Sequence, residues 1–149
     1  MIRAHESVIV QMLSRLLVPL VQLYAMFILF FGQYGPGGGF VGGVMFAASL
    51  ILGMLVFGPE TPSWNVATRL LKGDGVGLII FVAVGGLCLI AGGEFLNYAE
   101  MEIPGLDTPS RRYLGIIMTQ IGVAADVAVT AISIVYSLSA VQHNGGPDA

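Results

Sequence analysis

Asp126 is the residue of this chain whose position most needs a chemical explanation. It lies in the apolar run TQIGVAADVAVTAISI, residues 119–134. Twelve helical steps from Leu114 place it about 18 Å along a helix, near the middle of a bilayer. A central carboxylate costs about 2.5 to 3.5 kcal/mol on insertion scales, so it must face a protein partner, a polar cavity or a cation, or be protonated. Thr119, Thr130 and Ser133 fall at spacings that put them on one helix face with Asp126, and Gln120 shares the helix. Such a stripe suits ion transfer, and it equally suits a hydrogen-bonded seam to another helix. Glu94 is the second carboxylate of interest. Eighteen residues after Val76, about 27 Å along its own segment, it is expected at the membrane boundary. There Gly92 and Gly93 leave room for water, a cation or a basic partner, the alternative being a solvated helix-end carboxylate. Arg15 has a stem long enough to reach the headgroups, and His5, Glu6 and His143 near the termini read as solvated.

The run PGGGFVGG, from Pro36 to Gly43, opens an apolar stretch without a charged break. Gly37, Gly39 and Gly42 spell a literal GxGxxG, but a membrane span stands on either side where a dinucleotide fold needs a strand and a parallel sheet. The glycines read instead as a helix-packing motif of Pro36, Gly37, Gly38, Gly39, Phe40, Gly42 and Gly43. Its small-xxx-small pairs are Gly35 with Gly39, Gly38 with Gly42, and Gly39 with Gly43. A turned helix start of this kind can also expose backbone groups to an ion path.

The elements that must hold these residues follow from composition. Hydrophobic residues make up 56% of the 149 and charged ones only 10%, which a soluble domain rarely matches. A span takes about 20 residues, and the apolar runs divide the chain into an all-α integral membrane protein with four spans at 8–31, 40–57, 76–96 and 113–141. A short interfacial helix is expected over 63–72, capped by Ser63 and with Trp64 at headgroup level. Residues 97–112 read as a loop because of Pro104, Gly105 and Pro109. Arg3, Arg15, Arg69 and Lys72 on the terminal side outnumber Arg111 and Arg112, which orients both termini to the cytoplasm. Net charge −3 excludes a basic nucleic-acid surface, and Cys88 alone can form no internal disulfide. No HExxH, CxxC or nucleophile elbow is present, so neither an enzyme active site nor a cofactor is expected. No resident metal is assigned, while a transient Na+ is compatible with the carboxylates.

FFGQYGPGGGFVGGVMFAASLIL, residues 30–52, and TQIGVAADVAVTAISI resemble the MnhB/MrpB subunit family of multisubunit cation/proton antiporters of the Mrp type. Pro36 to Phe40, Gly42, Gly43 and Asp126 match by position, and Val127, Ala128 and Val129 by residue type. The chain departs at Gln33 and Tyr34, where the family often has His and Asn, and at Ala125, where an aromatic precedes the aspartate. The resemblance covers nearly the whole chain and implies one membrane domain over 1–149. It implies a small subunit in a prokaryotic plasma membrane, in a complex exchanging Na+ or another monovalent cation for protons. The partners implied are the other subunits of that complex, among them large complex-I-like antiporter subunits. Related subunits in membrane-bound hydrogenases and similar redox-driven pumps, a purely structural adaptor, and an autonomous small transporter are the other readings.

Overall fold

The computed structural model describes residues 7–58, 62–100 and 104–144, and among them every regular element is helical. Helix α1 is Val8–Phe31, α2 is Gly39–Phe57, α3 is Pro62–Leu71, α4 is Val76–Ile90 and α5 is Thr108–Asn144, with a 3-10 turn at Tyr98–Glu100. Helices suit this composition because lipid offers the backbone no hydrogen-bond partners. Helices α1, α2 and α5 are each long and apolar enough to cross a bilayer, whereas α4 is apolar but only 15 residues long. The expected positions of the Trp64, His5, Glu6 and His143 side chains fall outside the described residues.

Helix α5 is the centre of the packing and uses two faces. One face carries Gln120, Ala124 and Ala128 and receives α2 in parallel. Gly39 would meet the Gln120 carbonyl, and Gly43 the Ala124 backbone, if either had a side chain. Further along, Ala47, Leu50 and Met54 of α2 close with Ala128 and Ile132 into the core, against which Leu71 of α3 packs. The other face carries Gly115, Thr119, Gly122 and Asp126 and receives α4 in the antiparallel sense, followed by the Tyr98 turn. Helix α1 lies antiparallel on the far side of α2, with Gly42 against Ala25 and Leu29. Arg15 holds its guanidinium 5.9 Å from the Phe57 ring centroid at the end of α2. These seams are narrow because lipid drives no hydrophobic association between helices, so close van der Waals contact through small residues must do it.

Helix α5 runs on to Asn144 rather than Val141, and three further boundaries differ from the sequence reading for reasons the local residues give. Helix α4 stops at Ile90 rather than at Leu96. The amides of Gly92 and Gly93 donate to the Leu89 and Cys88 carbonyls, and Gly92 has a φ of 88°, which together form a Schellman ending. Gly92 and Gly93 therefore end the helix. Helix α5 begins at Thr108, five residues before Tyr113, because Pro109 sits in the first turn, where its missing N–H leaves no helical bond unmade. Helix α3 forms where a short helix was expected but already includes Pro62, so Ser63 lies inside its first turn rather than at the cap.

The Schellman ending gives a test in two directions. A β-carbon at Gly92 meets nothing within 4 Å, so Gly92→Ala carries only the left-handed backbone penalty of about 1 to 2 kcal/mol. Gly86, inside α4, also has open space, and alanine there gains up to about 1 kcal/mol of helix propensity. Thermal melts of the solubilised protein by circular dichroism should therefore shift down for Gly92→Ala and up for Gly86→Ala.

Candidate functional site

The α4/α5 face positions Asp126. It lies mid-helix on α5, partly buried, at one end of a cleft of about 230 Å³ that Gly77, Phe81 and Gly122 also line. Two glycines meet beside the cleft and let the helices approach closely. A β-carbon on Gly77 would stand 2.3 Å from the Gly122 carbonyl, 2.7 Å from the Asp126 nitrogen and 2.9 Å from the Asp126 β-carbon. One on Gly122 would stand 2.8 Å from the Gly77 carbonyl. The start of α4 is thus pressed directly onto the Asp126 backbone. Among the described residues no side chain donates a hydrogen bond or an ion pair to the Asp126 carboxylate. In apolar surroundings such a carboxylate needs a proton, a cation or a donor from outside the chain.

The other expected site residues separate into different places. Thr119 is buried. Its hydroxyl donates toward the Gly115 and Ile116 carbonyls, both at 2.9 Å, and accepts from the Tyr98 hydroxyl at 3.2 Å. Thr130, one turn beyond Asp126 on the same face, is exposed. Glu94 is exposed in the turn after the Schellman ending, with its carbonyl accepting from the Asn97 amide at 3.0 Å. Asp126 and Glu94 are therefore not brought together, since about 22 Å of α4 lies between them.

The glycine motif divides in the same way. Gly39, Gly42 and Gly43 are buried and make the contacts that hold α2. Gly38 precedes the helix with a φ of 111°, a conformation that favours glycine, and Gly37 lies against Ile28. Pro36 and Phe40 are exposed on the surface of the chain. Of the three small-xxx-small pairs only Gly39 with Gly43 lies on one helical face, because Gly35 and Gly38 come before α2 begins.

Gln120 has a role that the sequence reading did not give it. Its side-chain oxygen accepts from the Gly39 amide, capping α2 from another helix 81 residues away. The i, i+4, i+8 series Gln120, Ala124 and Ala128 was the available signal, since it marks a second face of small residues with one polar member level with the glycine run. Tyr98 was equally hidden, because a loop tyrosine that folds back onto Thr119 leaves no periodic trace.

A bundle of long apolar helices with glycine seams, one of them beside a mid-helix carboxylate that has no partner among the described residues, defines an integral membrane protein. Residues 9–133 match the family model described as a domain related to the MnhB subunit of Na+/H+ antiporter. The chain is 29% identical over 132 residues to a Na(+)/H(+) antiporter subunit of Alkalihalophilus pseudofirmus, covering 84% of this chain and 92% of that relative. It is 26% identical to the antiporter subunit of the same name in Bacillus subtilis, again over 84% and 92% of the two. It is 25% identical over 133 residues to the putative antiporter subunit mnhB2 of Staphylococcus epidermidis, covering 85% and 94%. The chain belongs to the MnhB family and is a membrane subunit of the Na+/H+ antiporter type, a class of transport proteins rather than of enzymes.

Proposed function

We propose that this chain is one small subunit of a multisubunit antiporter in a prokaryotic plasma membrane, where it contributes Asp126 to the path of Na+ or another monovalent cation. The supporting observation is the Asp126 carboxylate itself, set mid-helix on a cleft and without a partner among the described residues. Thr130 extends the oxygen-lined face toward one side. Thr119 is committed to holding the Tyr98 turn, and Glu94 stands at the far end of α4 beyond the cleft. The chain acts as one membrane unit, has no active site of its own and depends on companion subunits for the rest of the path. The relatives named above are antiporter subunits, which favours an antiporter host over a hydrogenase or another redox-driven pump.

Asp126→Asn keeps the shape of the side chain and removes its charge. In everted vesicles holding the assembled complex, Na+/H+ exchange should fall about tenfold or more, the effect of about 1.4 kcal/mol on the limiting barrier. A native gel run beside it separates this from lost assembly. Normal exchange by a normally assembled complex would remove Asp126 from the path. The structural-adaptor reading, supported by the hydrogen bonds that Thr119 and Gln120 give to the fold, predicts instead that exchange falls only in step with assembly.

A further inference from the structure

We infer that the third crossing of this chain is a broken helix, α3 followed by α4, whose junction lies at mid-membrane beside Asp126 and is covered by a membrane helix of a companion subunit. The inference rests on the chain working inside a multisubunit antiporter, but not on Asp126 carrying ions.

The depth follows from connections within the fold. Exposed Tyr113 and Tyr136 stand about 34 Å apart on α5, the separation of two aromatic belts across a hydrocarbon core, and Asp126 lies between them. Tyr34 and Tyr113 lie together at the lower end. Gly77, the second residue of α4, touches Asp126, so α4 starts in the middle of the membrane and cannot cross it alone. Helix α2 runs parallel to α5, with Gly43 at Ala124, so Phe57 at its end is about 20 Å above that level. The descent from Phe57 to Gly77 falls to α3, about 15 Å long, and Leu71 at its end packs on the Ala128 and Ile132 core at the expected depth. The break is built by Gly75, with a φ of 83°, and by the Val76 amide donating to the Gly73 carbonyl.

This placement brings Lys72 and Asp74, both exposed in the isolated chain, to the level of Asp126. Arg69 lies one turn higher, where its stem reaches toward the headgroups. Lipid cannot cover such a face, because each central charge costs about 2.5 to 3.5 kcal/mol. Lys72 and Asp74 carry opposite charges, so Asp126 adds a net negative charge at this level. The covering helix therefore brings a basic or hydrogen-bond-donating side chain to it. Arg69 and Lys72 also leave the loop charges that orient the termini, so sidedness is better read from labelling.

The test uses the whole complex in native membranes, with Cys88→Ala as background. Val76→Cys keeps every charge and Asp74→Cys probes the junction itself, while Ser110→Cys at the exposed start of α5 is the control. A membrane-impermeant maleimide on either face should label both junction sites about tenfold or more slowly than the control, since thiolate chemistry needs water. A benzophenone amino acid at position 72 should crosslink to an apolar segment of a companion subunit, identified by peptide mass. Labelling at the control rate overturns the placement. An adduct only with lipid, with a second copy of this chain or with a soluble segment overturns the partner. Neither result depends on exchange activity, so failure here is distinct from failure of the Asp126 assignment.

Discussion

A Gly43→Leu chain is expected to be lost from its complex, while Gly35→Leu, eight residues earlier, is retained. Helix propensity alone gives the opposite sign, since replacing a mid-helix glycine gains up to about 1 kcal/mol. Contact decides the outcome. The first carbon of any side chain at Gly43 would stand 2.6 Å from the Ala124 carbonyl and 2.9 Å from its α-carbon. Both are backbone atoms of α5 and cannot turn aside as a rotamer can. Overpacking of this kind costs about 1 to 3 kcal/mol even where side chains relax, and leucine adds three more carbons to the same seam. A β-carbon at Gly39 would likewise run into the Gln120 carbonyl, so the adjacent turn is closed too and α2 has no room to slide. No hydrophobic gain offsets the separation, because a parted helix face is simply covered by lipid. Gly35 meets nothing within 4 Å and lies outside the helix, which makes it a control in the same motif. Recovery of companion subunits with a tagged chain measures both, and equal recovery would refute the α2/α5 glycine seam.

The long helices were legible because a bilayer imposes its own length on the sequence: 8–31 and 40–57 mark α1 and α2 to within a residue at either end. Glycine was the harder letter to read. In lipid it can be a contact, as at Gly43 and Gly77, or a stop, as at Gly92, and hydropathy does not separate the two. The distinction is in φ and in what lies across the helix, neither of which a single sequence carries. Asp126 stood out because an apolar run makes a lone carboxylate conspicuous. Its separation from Glu94 was already implied by the boundary position expected for Glu94, even though α4 ends at Ile90 rather than at Leu96. Gln120 was hidden, since a polar residue on a membrane helix does not disclose whether it faces a path or caps a neighbour.

These assignments divide the two faces of α5. The Gln120, Ala124 and Ala128 face is spent on α2 through backbone contacts and a cap, so substitutions there act on assembly. The Gly122 and Asp126 face meets α4 closely at a glycine pair, and the Asp126 carboxylate has no partner among the described residues. Changes on that face can move the local position of Asp126 while α1, α2 and the core stay in place.

Gly77→Ala is the second large effect expected, and a double-mutant cycle isolates its cause. The added methyl would stand 2.3 Å from the Gly122 carbonyl and 2.7 Å from the Asp126 nitrogen, so the start of α4 must lift away from α5. Gly122→Ala drives the same pair apart from the other side, 2.8 Å from the Gly77 carbonyl. Each single change should destabilise the purified complex by about 1 to 3 kcal/mol and widen the cleft beside Asp126. Once either methyl has separated the helices, the second has less left to disrupt. The double variant should therefore cost less than the two singles together, by about 0.5 kcal/mol or more. Thermal unfolding supplies the energies, and Na+/H+ exchange measured on the same preparations tests whether the cleft matters to transport. Exchange should fall in Gly77→Ala complexes that still assemble, because α4 no longer holds the Asp126 backbone in place. Strict additivity would mean that Gly77 and Gly122 do not share one contact. Normal exchange with lowered stability would make the α4 seam architecture alone.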